Sequence, residues 1–344
     1  MNQEKKKRTD IGEIGEFGLI DKLTKNLKNK WDSTLKGVGD DAAIIRYDKK
    51  CSVVSTDLLM EGIHFDLMYT PLKHLGYKAV MVNISDIYSM NAIPKQITVS
   101  IALSSRFAVE DVEEIYEGIR LACEKYEVDL VGGDTSSSLT GMAISITAIG
   151  EAEEKELCYR NAAQENDIIC VTGNLGAAYM GLQLLEREKE IFKSSGAQPR
   201  LDNYEYILER QLKPEARKDI INWFKEVNLK PNAMMDISDG LSSELFHISK
   251  QSNKGCKIYQ EKLPIDKETV EMAKELNMEP SMAALNGGED YELLFTIPSD
   301  KLSIVEQHED IHPIGQIVNN PEEMTMLSQS GNPIQLKAQG WKHN

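Results

Sequence analysis

Apolar positions along the first half of the chain recur at either a helical or a strand period. Ile11, Ile14, Phe17, Leu19, Ile20, Leu23 and Leu27 fall close to helical spacing and predict a first helix from about Ile14 to Asn29. Lys25, Lys28 and Lys30 suit its C-terminal end, where cations meet the negative pole of the helix dipole. Ala42 to Arg46 and Ser52 to Ser55 read as strands, and Pro71 to Met90 as a helix. Gln96 to Leu103 alternates like a strand, and Val109 to Tyr126 is amphipathic, with Val112, Ile115, Ile119 and Ala122 on one side. Asp129 to Asp134 is expected to run as a strand into a glycine turn, and Met142 to Ile149 as another strand.

A shift to polar residues at Glu151–Glu156 and Arg160–Asn166 places a domain boundary near Gly150, giving domains 1–150 and 151–344. Beyond it come a strand at 167–172, a glycine turn at 173–176 and a helix from Ala177 to Arg187. Residues 188–203 are polar, with Ser194, Ser195, Gly196 and Pro199, and read as a mobile loop. The rest predicts helices at 204–212 and 215–226, a strand at 233–237, a helix at 239–251 and a strand at 256–261. It continues with a helix at 266–276, a strand at 291–297, a helix at 300–308, a strand at 312–318 and a hairpin near Ser330–Pro333. Both halves mix strands and helices, so the fold class is α/β (α+β).

At 344 residues the chain exceeds one ordinary core, and 41% hydrophobic with 27% charged residues is a globular composition. No apolar run reaches membrane-spanning length, and the basic start, Met1 to Arg8, lacks the apolar stretch of a signal peptide. The 5 cysteines are scattered and never form C-x-x-C, which predicts reduced thiols, no zinc site and a cytoplasmic location. A net charge of −16 argues against a nucleic-acid surface. It leaves room for an anionic substrate, because bound divalent cations reverse the local sign.

There is no G-x-x-x-x-G-K-[ST], H-E-x-x-H or G-x-S-x-G, and the glycines at 12–18 miss the dinucleotide spacing. What recurs is aspartate beside small or hydroxyl residues: Gly39-Asp40-Asp41-Ala42, Ser55-Thr56-Asp57, Asn83-Ile84-Ser85-Asp86, Gly132-Gly133-Asp134-Thr135 and Asp236-Ile237-Ser238-Asp239-Gly240. Ser55, Thr56 and Asp57 are expected where a strand ends and its loop begins. Asn83 and Asp86 share a face of the predicted helix, where polar groups amid Ala79, Val80, Val82 and Ile84 are costly unless something binds them. Oxygen ligands of this kind suit Mg2+, which usually meets one or two protein carboxylates together with substrate phosphates. The pattern therefore predicts a metal-assisted cradle for a polyphosphate.

These motifs, with Gly62-Ile63-His64, Tyr77-Lys78-Ala79 and Gly287-Gly288-Glu289-Asp290-Tyr291-Glu292-Leu293, resemble in order and type the motif series of the thiamine-monophosphate kinase family. That family belongs to the aminoimidazole-ribonucleotide synthetase-like superfamily, and the resemblance runs from about residue 12 to Trp341. It implies a two-domain fold, a homodimer formed through the N-terminal sheet, and ATP-dependent phosphorylation of thiamine monophosphate assisted by several Mg2+ ions. By the same resemblance Asp41, Ser55, Thr56, Asp57, Asp86, Asp134, Asp236 and Asp239 would be metal ligands, with Asp57, Asp86 and Asp134 the most critical. Gly133, Asp134, Arg160 and Ser238 would meet ATP, with Tyr126 a further nucleotide candidate. His64, Glu289 and Trp341 would meet the thiamine end. The nucleophile is a phosphate oxygen already ionised near neutral pH, so no acid–base residue and no phosphoenzyme are expected. Alternatives are another ATP-using synthetase of the superfamily, a metal-dependent phosphatase and a non-catalytic cation-binding protein. A selenophosphate synthetase would carry a reactive cysteine or selenocysteine near its N-terminus, whereas the first cysteine here is Cys51, where a predicted strand begins.

Overall fold

The structure is a computed structural model that describes residues 22–36, 44–45 and 51–337. The start of the first helix, the Gly39–Ala42 segment with Asp41, and Trp341 lie outside the described residues. The chain divides into two compact units, one comprising residues up to Ile87 and Ile93–Glu153, the other Tyr88–Ala92 and the chain from Glu154.

In the first unit, residues 22–24 are helical (α1), and β1 (Thr34–Lys36) pairs with β2 (Ile44–Ile45). Four further strands, β3 (Cys51–Met60), β4 (Ile93–Leu103), β5 (Asp129–Ser137) and β6 (Met142–Ala152), form a sheet in the order β3-β6-β4-β5. Only the β4–β5 pair is parallel. Buried residues alternate along the whole of β6, the mark of a sheet covered on one face. Helix α2 (Leu72–Ser89) lies on that face: a Cβ added to Gly150 of β6 would come within 2.3 Å of the Ile87 side chain. Helix α3 (Val109–Tyr126) crosses α2 at backbone contact. A Cβ on Gly76 would lie 1.9 Å from the Ile115 carbonyl oxygen, and one on Gly118 1.8 Å from that of Lys73, so only glycines admit this crossing. The opposite face of the sheet is open along β3, where Val54 is 61% exposed, Leu58 51% and Met60 38%.

Two strand expectations need correction. The strand expected to stop at Ser55 continues to Met60, so Ser55, Thr56 and Asp57 lie in mid-strand, each paired with a residue of β6. Nor does a turn follow Val131. Ile97 pairs with Leu130 and Thr98 with Gly132, leaving Val131 as the extra residue of a bulge, and β5 runs on to Ser137. Gly133 is needed for close approach: a Cβ there would lie 1.8 Å from the Val99 carbonyl oxygen.

The second unit holds a mixed seven-stranded sheet of β7 (Ile168–Thr172), β8 (Ala233–Asp236), β9 (Gly255–Tyr259), β10 (Leu293–Ile297), β11 (Ile311–Val318), β12 (Met324–Leu327) and β13 (Pro333–Gln335). Their order is β13-β12-β9-β11-β7-β10-β8. Its helices are α4 (Ala177–Ser195), α5 (Glu205–Leu212), α6 (Lys218–Glu226), α7 (Leu241–Ser252), α8 (Lys267–Glu275), α9 (Pro280–Asn286) and α10 (Leu302–Val305). One apolar cluster joins sheet residues Val171, Met235, Leu294 and Ile317 to Leu241, Leu245 and Ile248 of α7. A second joins Met180 and Leu184 of α4 to Ile207 of α5, Met272 of α8 and Ala283 of α9. The expected loop at 188–203 is helical as far as Ser195. Pairs Glu186–Lys189 and Glu190–Lys193 support the added turns, and Gly196 ends them in the left-handed conformation. The remainder is tied down, with the Arg200 amide donating to Glu188 Oε2 at 2.9 Å and the Tyr204 hydroxyl to Glu275 Oε1 at 2.7 Å. Strands β12 and β13 form the hairpin expected near Ser330–Pro333, whereas helix α9 was not anticipated, being too short for periodicity to declare. The expected helix at 300–308 shrinks to a 3-10 turn, Ser299–Lys301, and the four residues of α10.

Candidate active site

In the first unit, strand alternation turns Ser55 and Asp57 to the face that α2 covers and Thr56 to the other face. The Ser55 hydroxyl donates to Asp86 Oδ2. The Asp57 amide donates to Asn83 Oδ1 at 2.9 Å, and Asn83 Nδ2 donates to the Ala79 carbonyl at 2.9 Å. Asn83 and Asp86 do share a face of α2, as their spacing predicts, and they divide the work: Asn83 fastens helix to strand while Asp86 stands beside Asp57. Burial, and then the charge of Asp86, push the Asp57 carboxyl up to about 6. Two carboxyls held together in this way, with a hydroxyl against one of them, fit a hard cation. The Thr56 hydroxyl donates to the Ile146 carbonyl at 3.0 Å and accepts from Thr147 at 3.0 Å.

Asp134 is exposed on β5, in register with Ser100, at the opposite edge of the sheet from β3. Three strand spacings, about 14 Å, separate the two edges, so this unit does not gather Asp134 with Asp57 and Asp86. Tyr126, the last residue of α3, is buried with its ring centroid 6.5 Å from that of Tyr77. It is therefore a core residue, because it continues the apolar stripe of the helix. His64 sits in the turn after β3, where its Nδ1 accepts from the Met60 amide at 3.0 Å, leaving the neutral ring's proton on Nε2.

In the second unit, Asp236 ends β8, and the loop Ile237–Gly240 is fastened to the Gly287–Glu292 segment through the backbone. The Glu289 amide donates to the Ser238 carbonyl at 2.7 Å, the Tyr291 amide to that of Ile237 at 2.8 Å, and the Ile237 amide to that of Glu292 at 2.8 Å. Ser238, Asp239 and Glu289 are thereby neighbours. Gly288, at φ +73°, has room for no side chain, since a Cβ would lie 2.6 Å from the Ser238 carbonyl oxygen. Arg160 is half-buried, and its carbonyl accepts from the Ser252 hydroxyl at 3.2 Å.

The Gly-Gly-Glu-Asp-Tyr-Glu motif is largely internal. Asp290 is fully buried and accepts from the Gly176 amide at 2.8 Å, capping α4 from a distant part of the chain, while burial pushes its carboxyl up to about 7. Glu292 lies between Arg210, at 2.9 Å, and Arg217, and accepts from the Thr172 hydroxyl at 2.6 Å. Despite its burial, the two guanidinium groups hold its carboxyl below the usual range.

Sequence reasoning missed Arg210, Gln211, Arg217 and Glu244. Glu244 is buried on α7, its Oε1 accepts from the Asp239 amide at 2.9 Å, and its Oε2 has no hydrogen-bond partner. Burial pushes it up to about 8. One signal was available, an acid set among the apolar positions Leu241, Leu245 and Ile248 of one helix. The other residues carry no local signal.

Among the described residues no group of three or more His, Cys, Asp or Glu side chains is placed to hold a metal ion by itself. The same residues include no helix long and apolar enough to cross a membrane. The cysteines are free, and burial pushes the Cys123, Cys158 and Cys256 thiols up to about 12, so these three are unsuited to act as nucleophiles.

A family model described as AIR synthase related protein, N-terminal domain, matches residues 39–152. The fold is of the AIR synthase-like class. The thiamine-monophosphate kinase of Aquifex aeolicus is 36% identical over 333 residues, covering 97% of this chain and 99% of its own. That of Escherichia coli is 31% identical over 343 residues, 96% of this chain and 98% of its own. A solved structure described as AaThiL complexed with AMPPCP and TMP superposes with a TM-score of 0.74 at 34% identity, covering 97% of this chain and 98% of that one. The chain belongs to the thiamine-monophosphate kinase family, and it is an enzyme of that kind. The hydrogenase maturation protein HypE in complex with ATP, with a TM-score of 0.74 at 17% identity over 93% of this chain and 94% of its own, shares the fold alone.

Proposed function

We propose that the chain transfers the γ-phosphoryl group of ATP to the phosphate of thiamine monophosphate, giving thiamine diphosphate. The observation that carries this reading is the Asp57–Asp86 pair in a chain related to thiamine-monophosphate kinases along nearly its whole length. In that pair two acids are held together at a cost that a divalent cation removes. Asp41, Ser55, Thr56, Asp57, Asp86, Asp134, Asp236 and Asp239 are the residues proposed to hold Mg2+, and Asp134, on the far sheet edge, would serve a different ion from Asp57 and Asp86. When bound, the ions neutralise the facing phosphates and hold them in line. Ser55 and Asn83 keep the Asp57–Asp86 pair in place. Gly133, Ser238 and Arg160 contribute to the ATP side, with the guanidinium of Arg160 aimed at phosphate. His64, Glu289 and Trp341 contribute to the thiamine end, where a carboxylate and an indole suit a cationic heteroaromatic ring.

The acceptor phosphate oxygen is already ionised near neutral pH, so positioning and charge neutralisation suffice and no residue needs to remove a proton. The first unit is also proposed to form a homodimer through the open face of its sheet, where Val54, Leu58 and Met60 are exposed.

The test is ATP consumption with Mg2+, with and without thiamine monophosphate, followed by chromatography of the thiamine species. Thiamine diphosphate is expected only when both substrates and the metal are present. ATP spent without that product would point to another reaction of the same fold. An isolated phosphoprotein after incubation with ATP alone would contradict direct transfer.

A further inference from the structure

We infer that Gln211 is a positioning residue for Glu289 and so helps determine which acceptor the enzyme takes. The inference rests on the proposed role of Glu289 at the thiamine end.

Helix α5 presents two consecutive residues to the Gly287–Glu292 segment. Arg210 Nη2 donates to the Asp290 carbonyl at 2.9 Å and its guanidinium pairs with Glu292 at 2.9 Å, while Gln211 Nε2 donates to Glu289 Oε2 at 3.0 Å. Glu289 has the left-handed backbone conformation, φ +58°, which is uncommon for a residue other than glycine. Its amide is bound to the Ser238 carbonyl at 2.7 Å. Backbone and side chain are thus fastened at two points, which together set where the carboxylate lies.

Gln211 is itself held firmly. It is buried, and α5 rests on α4 at Gly181, where a Cβ would lie 2.1 Å from the Ile207 carbonyl oxygen and 2.9 Å from Gln211 Cβ. That close approach leaves the amide little choice of position. An amide donor also leaves the charge of Glu289 intact, whereas Arg or Lys in its place would neutralise it. A carboxylate fixed in place favours an acceptor carrying a cationic ring or a ring amino group over a plain phosphate monoester.

The experiment measures steady-state kinetics of wild type, Gln211→Met and Gln211→Glu, varying thiamine monophosphate and ATP separately, alongside thermal unfolding. Gln211→Met keeps the volume and removes the donor. It is expected to raise KM for thiamine monophosphate roughly tenfold, the scale of one hydrogen bond to a charged group, with kcat and KM for ATP little changed. Gln211→Glu sets two carboxyls at hydrogen-bond distance, where they share a proton. Its KM for thiamine monophosphate should fall back toward that of wild type at the same pH as the pH is lowered and the new acid regains a proton to donate. A purely structural role would produce no such pH profile. An unchanged KM in Gln211→Met, or equal loss for both substrates together with a lowered melting temperature, overturns the inference. If wild type itself does not phosphorylate thiamine monophosphate, the substrate reading falls and this inference with it. If wild type does and Gln211→Met matches it, only the inference falls.

Discussion

The carboxyl of Asp57 lies beside that of Asp86, which accepts from the Ser55 hydroxyl, and burial together with this neighbour raises Asp57 from 3.8 to about 6. An acid raised on folding makes the folded metal-free chain bind more protons than the unfolded one across that window. Its stabilising contribution is present below pH 3.8 and is lost as the pH rises to about 6. Mg2+ should therefore raise the melting temperature at neutral pH and much less below the Asp57 value. In Asp57→Asn the Mg2+ response should shrink, the metal-free protein should hold its stability at neutral pH, and the rate should fall by roughly a hundredfold or more. Scanning fluorimetry with and without Mg2+ checks the first two, and a wild-type Mg2+ response in the variant would remove this pair from the metal site.

Glu244 carries the same sign to higher pH. Its value rises from 4.5 to about 8, so the metal-free protein should keep losing stability as the pH rises through that range. Asp290, raised from 3.8 to about 7, adds to the lower part of the slope. Glu244→Gln keeps an oxygen for the Asp239 amide and removes the titration. Urea midpoints measured in steps from neutral pH upward should flatten in this variant, and an unaltered slope would assign the loss to other groups.

Glu292 is buried between Arg210 and Arg217, and Arg217 also bonds Asp219 at 2.8 Å and pairs with Asp310. Removing one partner of a buried pair strands the charge left behind, at a cost of about 3–5 kcal/mol. Glu292→Gln should lower the unfolding free energy by that amount in a urea titration. A loss below about 1 kcal/mol, the scale of an exposed pair, would mean that water reaches the guanidinium groups.

Leu58 is half exposed on β3 and stands on the open face of the sheet with Val54 and Met60. Leu58→Glu places a charge in the proposed dimer contact without touching the core. Light scattering should give a dimer for wild type at micromolar concentration and a monomer for the variant, and a monomeric wild type refutes the dimer.

The sequence by itself determined the elements whose pattern is local. The apolar stripe of α3 at Val112, Ile115, Ile119 and Ala122 announces that helix, and all four residues are buried in it. The spacing of Asn83 and Asp86 placed both on one face of α2, whereas the strand expected to 237 and the helix expected from 239 give way to a loop over Ile237–Gly240. Family membership was legible for the same reason, since it rests on short stretches of chain in a fixed order. Tertiary structure alone decided which of these stretches meet. Ser55 and Asp57 face α2, and Thr56 does not, because β3 continues as an edge strand paired with β6, whose residues lie some ninety positions away. Gln211 reaches Glu289 across 78 positions, and Arg217 reaches Glu292 across 75. Contacts at that separation are set by the packing of helices against the sheet within each unit, and packing leaves no period or turn residue in the sequence beside either partner.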